Sequence, residues 1–261
     1  MEARFKHGHF ELSNEQVDGI RRVRPEAVVE FAEASVVLEA GNGGPDILHW
    51  GAETSEALCL AVSTMQQRIP RTNEASWKIT LINDAVFASK LLPLGFHVHG
   101  HYLDHWLSEL ASYQPAKESV ASVREAQAAD CEELTRLSSA CASDIGWLVS
   151  EAEWYREWMT TPDSAVLVPE QDGSICGLCS VRQYGEDNDK VWIRELAVYP
   201  ERRQLGVGRA LLEAGLRWGQ ARGSAKAFLA VDSRCVGARC LYESEGFRPN
   251  GEEEHNLLHQ H

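Results

Sequence analysis

Arg203-Gln204-Leu205-Gly206-Val207-Gly208 is the stretch whose residue types and spacing point most directly to ligand chemistry. Its two glycines carry no Cβ, so a ligand can approach the main chain closely there. Val207, Leu211, Ala214 and Trp218 follow at helical spacing, so the glycines stand where a helix begins. The first amides of a helix lack internal acceptors and lie at the positive end of its dipole, an arrangement that binds phosphate. Ahead of them Val191 to Tyr199 is a run of β-formers ended by Pro200, so the unit reads strand, turn, helix. No Gly-Lys-Ser/Thr follows and Gly-x-Gly-x-x-Gly is absent, which sets aside a nucleotide P-loop and a dinucleotide fingerprint.

His97, His99 and His101 alternate, with His105 four residues on. On a strand the first three share a face that can hold zinc or nickel, but only Asp104 lies near enough in sequence to complete the set. A polar strand face or an interface is the expected use, and no metal is assigned. Cys176-Gly-Leu-Cys179 falls in a predicted strand, where residues three apart face opposite ways, so it is not read as a metal or redox pair. Trp147, Trp154, Tyr155 and Trp158 cluster on a predicted helix and the loop before it. Aromatic faces there can hold a cationic or flat acceptor, although at least half of them are expected in the core.

Arg203 to Gly208 matches Arg/Gln-x-x-Gly-x-Gly/Ala, and Ala238-x-x-Leu241-Tyr242-x-x-x-Gly246-Phe247 follows about thirty-five residues on. In these two motifs the chain resembles the GNAT N-acetyltransferase superfamily, over roughly Ser119 to Leu258. The resemblance implies an α/β fold with a mixed sheet and a transfer of acetyl from acetyl-CoA to a primary amine of a small molecule, by direct attack on the thioester. It implies that the main chain of Gln204, Leu205, Gly206, Val207, Gly208 and Arg209 holds the diphosphate, with Arg203 beside it. Leu196 and Val198 would meet the pantetheine through main chain only, and Tyr242 would return a proton to the leaving thiolate. Glu195 is the candidate base, since several members carry an acidic residue on this strand; strict alternation puts it with Ile193 and Ala197 and opposite Arg194. Cys235 replaces the asparagine the pattern usually carries and puts coenzyme affinity in question. The alternative is an acyl-CoA-binding regulatory protein with little turnover.

These residues need a strand, a glycine-turn helix, a further strand at Ala225 to Val231 and a helix ending at Gly246 to position them. A strand at Val120 to Ala126, a helix capped by Asp130 with Leu134, Leu137 and Cys141 inward, and a helix opened by a capping box at Ser150 to Glu153 precede them. Ala165 to Pro169 and Ile175 to Gln183 read as a hairpin turning at Asp172-Gly173. In the first half, residues 7 to 24 have no clear period, and Pro25 to Leu38 reads as a helix and a short strand. Ile47 to Trp50, Ser55 to Ile69, Trp77 to Ile82 and Ala85 to Leu92 then read as strand, helix, strand, helix before Gly95-Phe96. This order repeats that of residues 191 to 258, which suggests a degenerate copy (1–112) ahead of a complete one (119–261), with Ser108 to Glu118 as linker. The first copy has a leucine opposite Tyr242 and no glycine loop; walling the acceptor site is its expected role.

Both halves are acidic and the net charge is −14, which argues against nucleic acid or anionic membrane as partner and favours a cationic small substrate. The odd number of cysteines, seven, reads as free thiols in a reducing compartment. No signal-like segment and no apolar run of spanning length stands in the chain, so a cytoplasmic protein, monomer or homodimer, is expected.

Overall fold

The computed structural model describes residues 5–41, 45–69, 76–115, 121–145, 147, 149–171, 174–185 and 187–260. The Asp172-Gly173 turn, most of the turn at 41–45, residues 116–118 of the linker, and Val120 lie outside these. In chain order the elements are β1 (His7–His9), α1 (Asn14–Val23), β2 (Val28–Glu30), β3 (Ala34–Glu39), β4 (Asp46–Ala52), α2 (Ser55–Arg68), β5 (Ser76–Ile82), α3 (Ala85–Leu91) and β6 (Phe96–Leu107). They continue with β7 (Val123–Glu125), α4 (Cys131–Ala140), α5 (Ala152–Thr160), β8 (Ser164–Gln171), β9 (Ser174–Ile175), β10 (Gly177–Tyr184) and β11 (Lys190–Val198). The last four are α6 (Val207–Ala221), β12 (Lys226–Asp232), α7 (Val236–Ser244) and β13 (Arg248–Gln260).

The chain forms two compact units, Met1–Tyr102 with Glu252–His261, and Leu103–Gly251. The expected division was 1–112 and 119–261. The end of β13 pairs antiparallel with β5, from Glu254 opposite Ile82 to Gln260 opposite Ser76, so the C-terminus completes the sheet of the first unit. Gly251, at φ 88°, stands where the strand passes from one unit to the other.

In the first unit β2, β3 and β4 are antiparallel, β4 and β5 run parallel, and β1 pairs with β4. Leu58, Ala61, Val62 and Met65 of α2 bury one stripe against Trp50, Trp77 and Ile79. Two stretches differ from expectation. Residues 7–24 hold β1 and α1, the latter fixed by a capping box between Ser13 and Gln16, a polar signal that apolar periodicity does not register. Pro25–Leu38 forms a 3₁₀ turn and two strands because its buried valines, Val28, Val29, Val36 and Val37, are β-branched and pair with one another. The helix after β4 is capped by its own Thr54, whose hydroxyl accepts from the Ala57 amide at 3.2 Å. One amide at that helix start is thus spent internally.

In the second unit the strand order is β12-β11-β10-β8-β7, parallel between β11 and β12 and antiparallel elsewhere. Val207, Leu211, Leu212 and Leu216 of α6 pack on Val181, Val191 and Ile193. Leu134, Leu137, Tyr155 and Trp158 of α4 and α5 cover the other face over Val166, Leu178 and Ala197. All seven cysteines are free thiols, as expected. No helix among the described residues is long and apolar enough to cross a membrane.

Candidate active site

The glycine turn takes the form its sequence dictates. Gly206 has φ 87°, a left-handed conformation that costs a residue with a Cβ about 1–2 kcal/mol, and it stands at the N-cap of α6 without a side-chain cap. Gln204 also has positive φ, 62°. The first main-chain bond of the helix runs from the Ala210 amide to the Gly206 carbonyl, 3.1 Å, and none of the described main-chain hydrogen bonds is donated from 204–209. A row of unspent amides therefore opens α6, unlike α2.

Beside it lies the end of β11. Pairing of β11 with β12 stops at Trp192 opposite Phe228, while the two strands run on to Val198 and Asp232. Leu196 and Val198 turn their side chains toward α6: a Cβ at Gly208 would lie 3.7 Å from Leu196 Cδ2, 3.8 Å from Val198 Cγ2 and 3.6 Å from Leu241 Cδ2. The turn, the strand end and α7 thus meet at Gly208. Tyr242, next along α7, is buried in the same apolar cluster, and burial pushes its phenol well above the ordinary range, with Cys179 and Cys235 adding to the shift.

On the opposite face of β11 the alternation fails. Ser180 pairs with Glu195 but Val181 pairs with Ile193, so Arg194 is an extra residue in a β-bulge. Ile193 lies in the cluster under α6 and Ala197 in the one under α4 and α5. The expected grouping of Glu195 with Ile193, opposite Arg194, is therefore corrected: the bulge reverses the parity and aims Arg194 and Glu195 at the same side. Glu195 is 9% exposed and accepts from Ser150 Oγ at 3.1 Å and Ser180 Oγ at 3.0 Å, while Arg194 Nη1 lies 2.6 Å away. Desolvation raises the Glu195 carboxyl above the usual range, against the opposing pull of Arg194 and the two serines. Tyr155, fully buried, is raised by its own burial and by the Glu195 charge.

Several residues read from sequence have other partners than expected. Arg203 is tied down: its guanidinium reaches Asp144 at 3.0 and 2.5 Å, and its Nε donates to the Val198 carbonyl at 3.0 Å. It braces the strand end. Arg209 pairs with Glu245 and donates to Ser244 Oγ at 3.0 Å, so only its main chain belongs to the turn. The Cys235 thiol lies 3.6 Å from the Ile145 carbonyl. Ser150 bonds Glu195 rather than capping α5, whose N-cap is Glu151. Asp130 accepts from the Gln127 amide at 2.7 Å and pairs with Arg124, so its carboxylate does not cap α4. Sequence reading did not place Ser150, Ser180 and Arg194 together around Glu195, because the bulge that brings Arg194 round has no sequence mark here.

Within the first unit His97 and His99 are exposed, and His101 bonds Glu253 at 2.9 Å. His255 lies 3.2 Å from the other oxygen of Glu253 and stacks on His101, centroids 4.4 Å apart. The donors of His101, Glu253 and His255 all lie within 4.8 Å of one another. Each imidazole thus lies against one oxygen of the carboxylate, and the hydrogen bond from His101 is the main cause that holds Glu253 below the usual carboxylate range.

Residues 131–247 match the acetyltransferase (GNAT) family. The N-acetylaspartate synthetase of Rattus norvegicus is 31% identical over 101 residues, 39% of this chain and 33% of that protein. The chain therefore spans about a third of that relative's length. A GCN5-related N-acetyltransferase from Sphaerobacter thermophilus superposes with TM-score 0.63 at 17% identity, covering 87% of this chain and 76% of that one. A tandem GNAT protein from the clavulanic acid biosynthesis pathway superposes with TM-score 0.60 at 15% identity, covering 87% and 78%. Over residues 131–247 the chain is thus similar to the acetyltransferase (GNAT) family, and its fold is that of a tandem GNAT protein.

Proposed function

We propose that the second unit is an acetyl-CoA-dependent N-acetyltransferase that acetylates a primary amine of a small molecule. The observation that carries this is the meeting, at Gly208, of unspent helix amides, the end of β11 where it has parted from β12, and the helix bearing Tyr242. The residues present suit the co-substrate: amides of 204–209 for a diphosphate, and the free edge of β11 at Leu196 and Val198 for an extended amide-bearing arm. Acetyl-CoA would supply the acetyl group as a thioester.

Glu195 takes a proton from the acceptor ammonium, directly or through water, and passes it to solvent; the neutral amine then forms the new C–N bond and releases its second proton by the same route as the amide forms. The Leu196 amide donates to the carbonyl oxygen as charge builds there. As the C–S bond breaks, Tyr242 gives its proton to sulfur and regains one from solvent. A phenol held well above its ordinary pKa is a full donor at neutral pH. Burial keeps Glu195 more basic than an exposed carboxylate.

The test is calorimetric titration of acetyl-CoA, followed by mass detection of acetylated product over a panel of amines. Binding with product supports the proposal. Binding without product on any amine favours the regulatory alternative, and no binding overturns both. Thiol-reactive readouts are avoided because Cys240 is exposed.

A further inference from the structure

The face of the second unit that carries Glu195 also carries a band of aromatic rings. Trp106 stacks on Phe228 at 5.0 Å and 19°, and Phe228 on Trp192 at 6.2 Å and 5°, while Tyr184 meets Trp192 and Phe228 edge-on. Trp154 and Trp158 of α5 extend the band, stacked at 5.1 Å. Its ring faces are already taken by cations of the chain itself. Arg194 lies 4.2 Å from the centroid of Trp154, 5.4 Å from Trp158 and 5.8 Å from Trp192. Arg182 lies 5.3 Å from Tyr184 and 5.9 Å from Trp158, and Lys190 lies 6.0 Å from Trp106.

Three positive side chains therefore lie on these rings, and Glu195 is paired with one of them, in a chain whose net charge is −14. Glu195 engages a single nitrogen of Arg194. Arg182, opposite Trp192 in the β10–β11 register, has no carboxylate partner among the described residues. A guanidinium held beside aromatic rings keeps N–H groups for a planar, bidentate partner, a fork that suits a carboxylate. A cationic acceptor would find the ring faces occupied and would meet like charge.

We infer that the acceptor amine also carries a carboxylate, bound by Arg182 together with the outer edge of Arg194, so that the substrates are small amino acids. This rests on the acetyltransferase reading and reverses the preference for a cationic substrate drawn from net charge. The overall charge describes the far surface, whereas the acceptor meets only the local field.

The experiment uses matched acceptors, free amino acids and the corresponding amino acid amides, which keep the amine and replace the carboxylate by a neutral group. The full chain should acetylate the acids with kcat/KM roughly tenfold or more above the amides, as expected for one charge-assisted pair. Arg182→Ala should raise KM for the acids about tenfold more than for the amides, with Arg182→Lys recovering part of the difference. The thermal midpoint and acetyl-CoA affinity of each variant establish that it is folded. Amides acetylated as well as acids, or Arg182→Ala affecting both alike, overturn the inference and leave the acetyltransferase reading intact. No product from any amine by a chain that binds acetyl-CoA overturns both.

Discussion

Arg194 and Glu195 are consecutive in β11 yet project to the same side of the sheet, with Nη1 of one 2.6 Å from Oε1 of the other. The single-residue bulge opposite Ser180 and Val181 brings this about, and it lies just past Trp192, where β11 parts from β12. One irregularity thus places a buried carboxylate and a guanidinium together beside the edge of β11 proposed for the coenzyme arm.

Glu195→Gln should lower kcat/KM by roughly 10²–10³-fold, the usual contribution of a positioned base. The base must be ionised, so wild-type activity should rise with pH through an acid limb lying above the ordinary carboxylate range, because burial raises this carboxyl. The limb should disappear in the glutamine variant, apart from titration of the acceptor amine. A pH profile at saturating acetyl-CoA checks this, and an unchanged limb would remove Glu195 from the role.

Ser150→Ala removes a hydrogen bond that favours the ionised form of Glu195. The acid limb should then move to higher pH while the plateau rate stays near wild type. A fallen plateau with an unmoved limb would show that Ser150 acts on the acceptor instead.

Tyr242→Phe keeps the ring that packs in the α6 cluster and removes only the proton to be donated. We expect kcat to fall about 10- to 100-fold with the acetyl-CoA dissociation constant altered less than about threefold. Since the phenol is raised, it remains protonated as pH increases and should impose no alkaline limb near neutrality. Equal rates for the two proteins would remove Tyr242 as the donor.

The parts of this arrangement that were legible in sequence are those written in local residue types. Gly206 and Gly208 announce a turn that opens a helix, and the alternation of β11 holds as far as Ile193. What was not legible depends on partners distant in the chain. No local signal tells that Ser150 will bond a carboxylate forty-five residues on, or that β13 will end beside β5 rather than in the unit it starts in. The bulge belongs to this class, because an extra residue in one strand is defined only against the register of its neighbour. The apolar period likewise passed over α1, a polar helix held by its cap with only Val17 buried.

The position of the glycine turn depends on how closely α6 approaches β11, and two glycines of this helix separate that packing from ligand binding. At Gly219 a Cβ would lie 2.6 Å from Cγ1 and 2.7 Å from Cβ of Val191, a fully buried side chain branched at the point of contact. Gly219→Ala should therefore force helix and strand apart and cost about 1–3 kcal/mol, in spite of alanine's better helix propensity. At Gly208 the same methyl would make only ordinary contacts of 3.6–3.8 Å, and the residue is helical, so Gly208→Ala should stabilise the fold by roughly 0.5–1 kcal/mol. Denaturant unfolding of the two variants checks the opposite signs. Acetyl-CoA affinity should fall with the fold in Gly219→Ala, because displacing α6 moves the amides proposed to grip the diphosphate. If Gly219→Ala were as stable as wild type, the close approach of α6 to β11 that positions the turn would be wrong.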